Sequence, residues 1–343
     1  MGDKRSGYRL NSLAKKWDLK YSKDRKIKED GSYVEFKRSK NAVDDSIGLF
    51  LQDSESPVPS SVVEEVTEFC QEVSLRALKS GTGMVGERQA AWLDDRDFSG
   101  PESSGRAREY NSQLTATELY RHLKVQRFDN PDMPDAERRL IYIANLDPYY
   151  MLAIAETASY SQVRVLRDAI WNHLATQALI SVQIPPKGFP FFQLELHLPY
   201  LALRALPPNK DHSQKRGYRN PLRRSTDLSF LLGPARNSRD QRTYLMHEAH
   251  ISFVVCGSDD SRWVAYAFEE DDRRDLCEGD YDDPIASNGA LFANEPLRNP
   301  REYFLTILKV RMAQVLQEWQ YVVRKLERSI GYVGLRIFSR GYV

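Results

Sequence analysis

The sequence predicts an α/β fold, with α+β as the alternative class: a mixed sheet flanked by helices and followed by a long C-terminal helix. Three observations lead there. An apolar run of strand length, Leu140-Ile141-Tyr142-Ile143-Ala144, is followed at once by Asp147 as N-cap and Pro148 as first helical residue, the strand-turn-helix opening of an α/β unit. Two apolar segments, 249–256 and 262–268, flank the turn Gly257-Ser258-Asp259-Asp260-Ser261 as a hairpin. Finally, Asn299, Pro300 and Glu302 supply a cap, a first-turn proline and an acid, and open a helix on which Phe304, Leu308, Met312, Val315, Trp319, Val322, Leu326 and Ile330 recur at intervals of four and three. That near-heptad seam is roughly 46 Å long at 1.5 Å per residue. It should project or pair with another helix, or lie along its own sheet.

Composition narrows the class further. Of 343 residues, 41% are hydrophobic and 28% charged, with 49 Lys+Arg against 48 Asp+Glu. This excludes a collagen-like, disulfide-built or fully disordered chain. Cys70, Cys256 and Cys277 are odd in number and far apart, which predicts a reducing, cytoplasmic setting. No stretch reaches about 18 uninterrupted apolar residues, so no membrane span is expected. Met1 opens a basic, polar segment, so no secretory signal is expected either. Gly2 and Ser6 match the myristoylation pattern, but the charges of Asp3 and Lys4 oppose it.

Taken in order, residues 1–40 carry 13 Lys/Arg against 6 Asp/Glu, a surplus of +7, with few regularly spaced apolar positions. They read as a solvated, partly disordered arm. Ser61 and Glu64 form a capping box that opens a helix with Val62, Val66, Phe69, Val73 and Ala77 on one face, closed by Gly81. Gly81, Gly83 and Gly86 formally spell the dinucleotide fingerprint. Because a helix precedes them where a strand is required, they read as a C-cap and loop. Residues 94–112 are polar and rich in breakers, a linker. Thr115 with Glu118 caps a short helix, and a second helix spans 161–177 with Val163, Leu166, Ile170 and Leu174 inward. Strands follow at 180–184 and 193–198. In the latter, Leu194, Leu196 and Leu198 alternate with Gln193, Glu195 and His197, which predicts one buried face and puts His197 toward the surface. The first arm of the hairpin suits a strand near the sheet centre.

The near-neutral total conceals segregation. Residues 210–227 carry six Lys/Arg and two Asp, including the run 215–224 with Tyr218, while residues 258–283 carry 11 Asp/Glu and 3 Arg. The basic runs are candidates for an anionic partner, RNA or a lipid surface. In the acidic run no EF-hand fits, since Gly279 at its sixth position would put Arg274 at the first. A looser magnesium or other divalent-cation site would use Asp271, Asp272 and Asp275. The expected organisation is a basic, partly disordered arm over 1–60, a helix and flexible linker over 61–112, and an α/β domain over 113–298 with a basic loop at 207–227 and an acidic loop at 269–298. A stalk-like helix over 299–330, ended by Gly331, and a tail over 331–343 complete it.

Catalytic signatures do not emerge. The chain has no G-x-x-x-x-G-K-[ST], H-E-x-x-H, G-x-S-x-G or C-x-x-C. His247 and His250 lie on a strand pattern that points them opposite ways. Cys256 reads as a buried, inert thiol. The residue pattern therefore predicts a non-catalytic protein that self-associates through Leu308, Met312, Val315, Trp319, Val322 and Leu326.

The phrases P-D-A-E-R-R-L-I-Y-I-A-N-L-D-P (134–148), V-L-R-D-A-I-W-N-H-L-A (165–175), F-Q-L-E-L-H-L-P-Y-L-A-L-R (192–204), L-R-R-S-T-D-L-S-F-L (222–231), H-E-A-H-I-S-F-V-V-C-G-S-D-D-S-R-W-V-A-Y-A-F (247–268) and N-P-R-E-Y-F-L-T-I-L-K-V-R-M-A-Q-V (299–315) resemble a group of fungal CorA-like magnesium-transporter proteins. The likeness covers about 118–330. It implies a cytosolic α/β domain leading into a stalk helix, then two membrane helices with a G-x-N signature. The sequence holds neither membrane helices nor G-x-N, so no pore residue is carried over. The expectation is a regulatory or interaction domain unable to transport alone. It would act in the cytoplasm, or at the cytosolic face of a membrane where a longer gene supplies the spans. The alternative is a nucleic-acid or anionic-surface module using 1–40 and 210–224.

Overall fold

A computed structural model describes residues 31–41, 44–53, 57–98, 105–111, 113–184, 191–206, 222–229, 243–270, 283–286, 291–293 and 295–340. At its centre is a mixed sheet of nine strands: β1 (Gln89–Asp97), β2 (Arg106–Ala107), β3 (Leu114–Thr115), β4 (Arg138–Ala144), β5 (Leu179–Gln183), β6 (Phe192–Leu206), β7 (Ser225–Asp227), β8 (Thr243–Gly257) and β9 (Trp263–Glu270). Their order is β2-β1-β4-β9-β8-β6-β5, with β3 beside β1 and β7 beside β8. β4 and β9 pair in parallel, while the hairpin β8–β9 and the long pair β6–β8 are antiparallel.

Helices cover both faces, which is the expected class. On one face lie α1 (Tyr33–Asn41), α2 (Ser46–Leu51), α3 (Ser60–Phe69), α4 (Leu75–Ser80), α5 (Ala116–Lys124), α6 (Pro148–Thr157) and α7 (Val163–Leu174). Ile141, Ile143, Val254, Val264 and Phe268 point into that layer, against Met151, Ile154, Leu166 and Ile170. The alternate residues of the same strands, Leu140, Phe253, Val255 and Ala265, join Phe192, Leu194 and Leu196 under Tyr303, Phe304 and Ile307 of α8 (Pro300–Arg340). Burial on both faces explains the continuous apolar character of β8 and β9.

The start of α6 follows from its sequence. Asp147 accepts hydrogen bonds from the backbone N–H groups of Tyr149 and Tyr150 at 2.9 and 3.0 Å, and its second oxygen pairs with Arg88. Pro148 takes the first helical position, where its missing N–H costs nothing. Asp147→Ala should therefore lower stability by about 1–2 kcal/mol in urea unfolding, with an unchanged m-value.

Several expectations are corrected. The arm assigned to 1–60 is folded from residue 31 wherever it is described: Val34, Leu49, Phe50 and Leu51 belong to the core, though residues 1–30 lie outside the described part. The helix read across 61–80 is two helices broken at 70–74, and Ser61 does not cap it, since α3 starts after Pro59 without a side-chain cap. Gly81 does close α4, at φ +70. The linker read at 94–112 begins with the last half of β1. Asp94, Asp95, Arg96 and Asp97 are buried there because each charge has a partner: Asp95 takes a bidentate bond from Arg139 at 2.7 Å, and Asp94 pairs with Arg138 and with Arg96. Cross-strand pairing turns a polar stretch into an interior strand. Finally, α8 runs through Gly331 to Arg340.

Candidate functional site

Two places in the fold concentrate chemistry. The first lies between α7 and the sheet. β6 and β8 pair with His197 opposite Ser252, and the last turn of α7 brings His173 over them. The Ser252 hydroxyl lies 2.9 Å from His173 Nδ1 and 2.8 Å from His197 Nδ1. His173 Nε2 faces Glu270 at 3.3 Å, and Glu270 pairs in turn with Arg223. The His250 ring lies 5.1 Å from that of His173, tilted by 51°, with neither ring nitrogen hydrogen-bonded. All three imidazoles and Ser252 have zero exposure.

One hydroxyl proton serves only one acceptor, so Ser252 fixes the tautomers. The arrangement that satisfies most groups has Ser252 donating to His173 Nδ1, leaving His173 Nε2–H toward Glu270, while His197 donates Nδ1–H to Ser252. His197 Nε2 is then a bare acceptor 3.9 Å from Glu195. Burial, with Asp168 nearby, pushes the Glu195 carboxyl up to about 7, so a large share of it carries the proton that such an acceptor wants. Burial holds His197 down at about 3 and His250 at about 2, with the neighbouring His173 adding to both. The cluster is a buried run of polar groups from Glu195 to Arg223, in which burial keeps the His197 and His250 imidazoles uncharged near neutral pH.

Ser252, His173 and Glu270 mimic a nucleophile, base and orienting acid, but no substrate reaches a serine with zero exposure in the middle of a central strand. Placing His197 toward the surface was therefore wrong. In a sheet covered by helices on both faces, the polar half of an alternating strand is interior too. That same reasoning, applied to Gln193, Glu195 and His197 together, is the signal in the sequence that marks a buried polar cluster. Nothing local in the sequence points to His173, Ser252 or Glu270. Cys256, as expected, is buried, and its thiol is pushed up to about 12 by that burial.

The second place is α8. Arg311, 1% exposed, bonds both oxygens of Glu269 at 2.8 Å as well as the Ile285 and Pro284 carbonyls, and Tyr142 donates to Glu269. Arg204 grips Glu318 at 2.8 and 2.9 Å. These ties hold the helix along β6, and they divide the expected self-association residues. Leu308, Val315, Val322 and Leu326 pack onto this chain's own sheet, whereas Met312 and Trp319 face outward. The outward apolar row is instead Leu305, Met312, Leu316, Trp319, Val323 and Ile330, at intervals of 7, 4, 3, 4 and 7. A heptad seam does exist, but it is rotated about the helix axis from the one read in the sequence.

The candidate cation ligands Asp271, Asp272 and Asp275 lie outside the described residues, as does 207–221 of the basic loop. Among the described residues no group of three or more His, Cys, Asp or Glu side chains is placed to hold a metal ion. Arg223, named above as part of an anion-binding run, is committed to Glu270, to the His173 and Leu174 carbonyls and to Thr176. No helix among the described residues is long and apolar enough to cross a membrane. The fold and its outward helix row define a mixed-sheet α/β domain with an apolar flank. Comparison with family models, with curated proteins and with solved structures finds no match.

Proposed function

We propose that this chain is a non-catalytic regulatory or interaction domain of the cytosol that associates with a second copy of itself through the outward row of α8. One observation carries the reading: an apolar heptad row on a helix already anchored by the buried Arg311–Glu269 pair and the half-buried Arg204–Glu318 pair, with Leu316 58% and Trp319 43% exposed. A row of this length left in water is costly, and the heptad spacing is what a facing helix needs. The phrases resembling CorA-like transporter proteins agree with a soluble domain that leads into a stalk helix. The anionic-surface alternative is less favoured, because Arg223 is held inside the fold.

In light scattering at about 50 µM the chain should be dimeric or larger, a concentration at which micromolar contacts are populated. Leu316→Glu with Trp319→Glu should return it to the monomer with its thermal midpoint nearly unchanged, because both side chains already face solvent. A monomeric parent chain at that concentration would sink the reading.

A further inference from the structure

The outward row of α8 has the same spacing read from either end. Leu305, Met312, Leu316, Trp319, Val323 and Ile330 are separated by 7, 4, 3, 4 and 7 positions, so the row is symmetric about the peptide bond between Gln317 and Glu318. Leu305 therefore corresponds to Ile330, Met312 to Val323 and Leu316 to Trp319. A surface that pairs with its own copy across a two-fold axis needs this property, because residue i meets j wherever j meets i.

The row also has room for a helix. Tyr303, Phe304, Ile307, Arg311 and Val322 pack toward the sheet, and at about 100° per residue the row is centred roughly 125° around the helix from them. A second helix laid on the row stands clear of this chain's own sheet.

We infer that two copies of this chain pair α8 against α8 in antiparallel orientation, about a two-fold axis beside Gln317 and Glu318. The inference rests on the self-association proposed above and names the direction and register of the helices. Size and charge both select this direction over a parallel one. Antiparallel layers set Trp319 against Leu316, Met312 against Val323 and Leu305 against Ile330, whereas parallel layers would crowd Trp319 on Trp319 and leave Val323 on Val323 underfilled. Lys309 and Glu327 are exposed and 18 positions apart, about five turns, so they stand on one flank of the row. The symmetry carries 309 onto 326, which brings Lys309 of each copy beside Glu327 of the other. A parallel pair would instead place Lys309 in one layer with Lys309, and Glu302 with Glu302, like charges that oppose association.

Cross-linking of mixed chains reads the direction. In a Cys277→Ser background, chains carrying Leu305→Cys and chains carrying Ile330→Cys are combined and treated with a short bis-maleimide. The mixture should give covalent dimer containing one chain of each kind. Either chain alone should give little, since like positions would lie about 38 Å apart at 1.5 Å per residue. Lys309→Glu should weaken dimerisation about fivefold at low salt, and adding Glu327→Lys should restore it. Three results would overturn the antiparallel register in a chain that is oligomeric and sensitive to Leu316→Glu with Trp319→Glu: either cysteine variant cross-linking to itself, no cross-link in the mixture, or no recovery by the charge swap. Each of them leaves the self-association standing. A monomeric parent chain overturns both.

Discussion

Arg311→Met should cost about 3–5 kcal/mol of folding free energy, the usual penalty for removing one partner of a buried ion pair. The arginine is 1% exposed and satisfies both oxygens of Glu269 together with the carbonyls of Pro284 and Ile285. Without it, Glu269 is left buried with Tyr142 as its remaining bonded partner at 3.0 Å, and two carbonyls lose their donors. Against a typical total of about 5–15 kcal/mol, the loss is large enough to loosen α8 from the sheet at moderate temperature. Much of the penalty is the stranded charge, so adding Glu269→Gln to Arg311→Met should recover at least 1 kcal/mol. Urea unfolding of both variants measures this. A single-variant loss below about 1 kcal/mol would show that α8 is not held by this pair.

Acid should unfold the protein through its buried imidazoles. The folded His197 and His250 bind protons only near 3 and 2, whereas an unfolded histidine binds near 6.5. Below about pH 6.5 the unfolded chain thus holds more protons, and each residue removes about 1.4 kcal/mol of stability per pH unit as pH falls, until its folded value is reached. Glu195 acts in the opposite sense. Its folded value of about 7 lies above the usual 4.5, so it adds stability as pH falls from 7 to 4.5 and offsets about one histidine over that window. The net loss should be gentle down to about pH 4.5 and roughly twice as steep below it. His250→Leu, close to histidine in volume, removes an imidazole with no hydrogen-bonded nitrogen. It should leave stability at pH 7 equal or higher by about 1 kcal/mol and flatten the acid limb. An acid limb of unchanged slope would mean that His250 titrates normally in the folded protein.

The parts of the fold governed by local rules were legible in the order of residues. Asp147 and Pro148 fixed the start of α6, Thr115 and Glu118 that of α5, Asn299 that of α8, and the paired apolar runs fixed the β8–β9 hairpin. Each depends on hydrogen bonds or side-chain periods within a few residues, so composition and spacing carry the information. The class of fold followed from the order of those elements. Tertiary structure alone decided which way polar and apolar faces turned. Asp94 and Asp95 became interior because Arg138 and Arg139, more than 40 positions along the chain, neutralise them. His197 turned inward because α7 closes the second face of the sheet over Ser252. The heptad row of α8 was rotated because the bonds of Arg311 to Glu269 and of Glu318 to Arg204 set which side of the helix meets the sheet. A helix with apolar residues on two flanks can be docked either way on spacing alone. Partners distant in sequence choose between them, since burying those two charged groups is tolerable only where their counter-charges already stand.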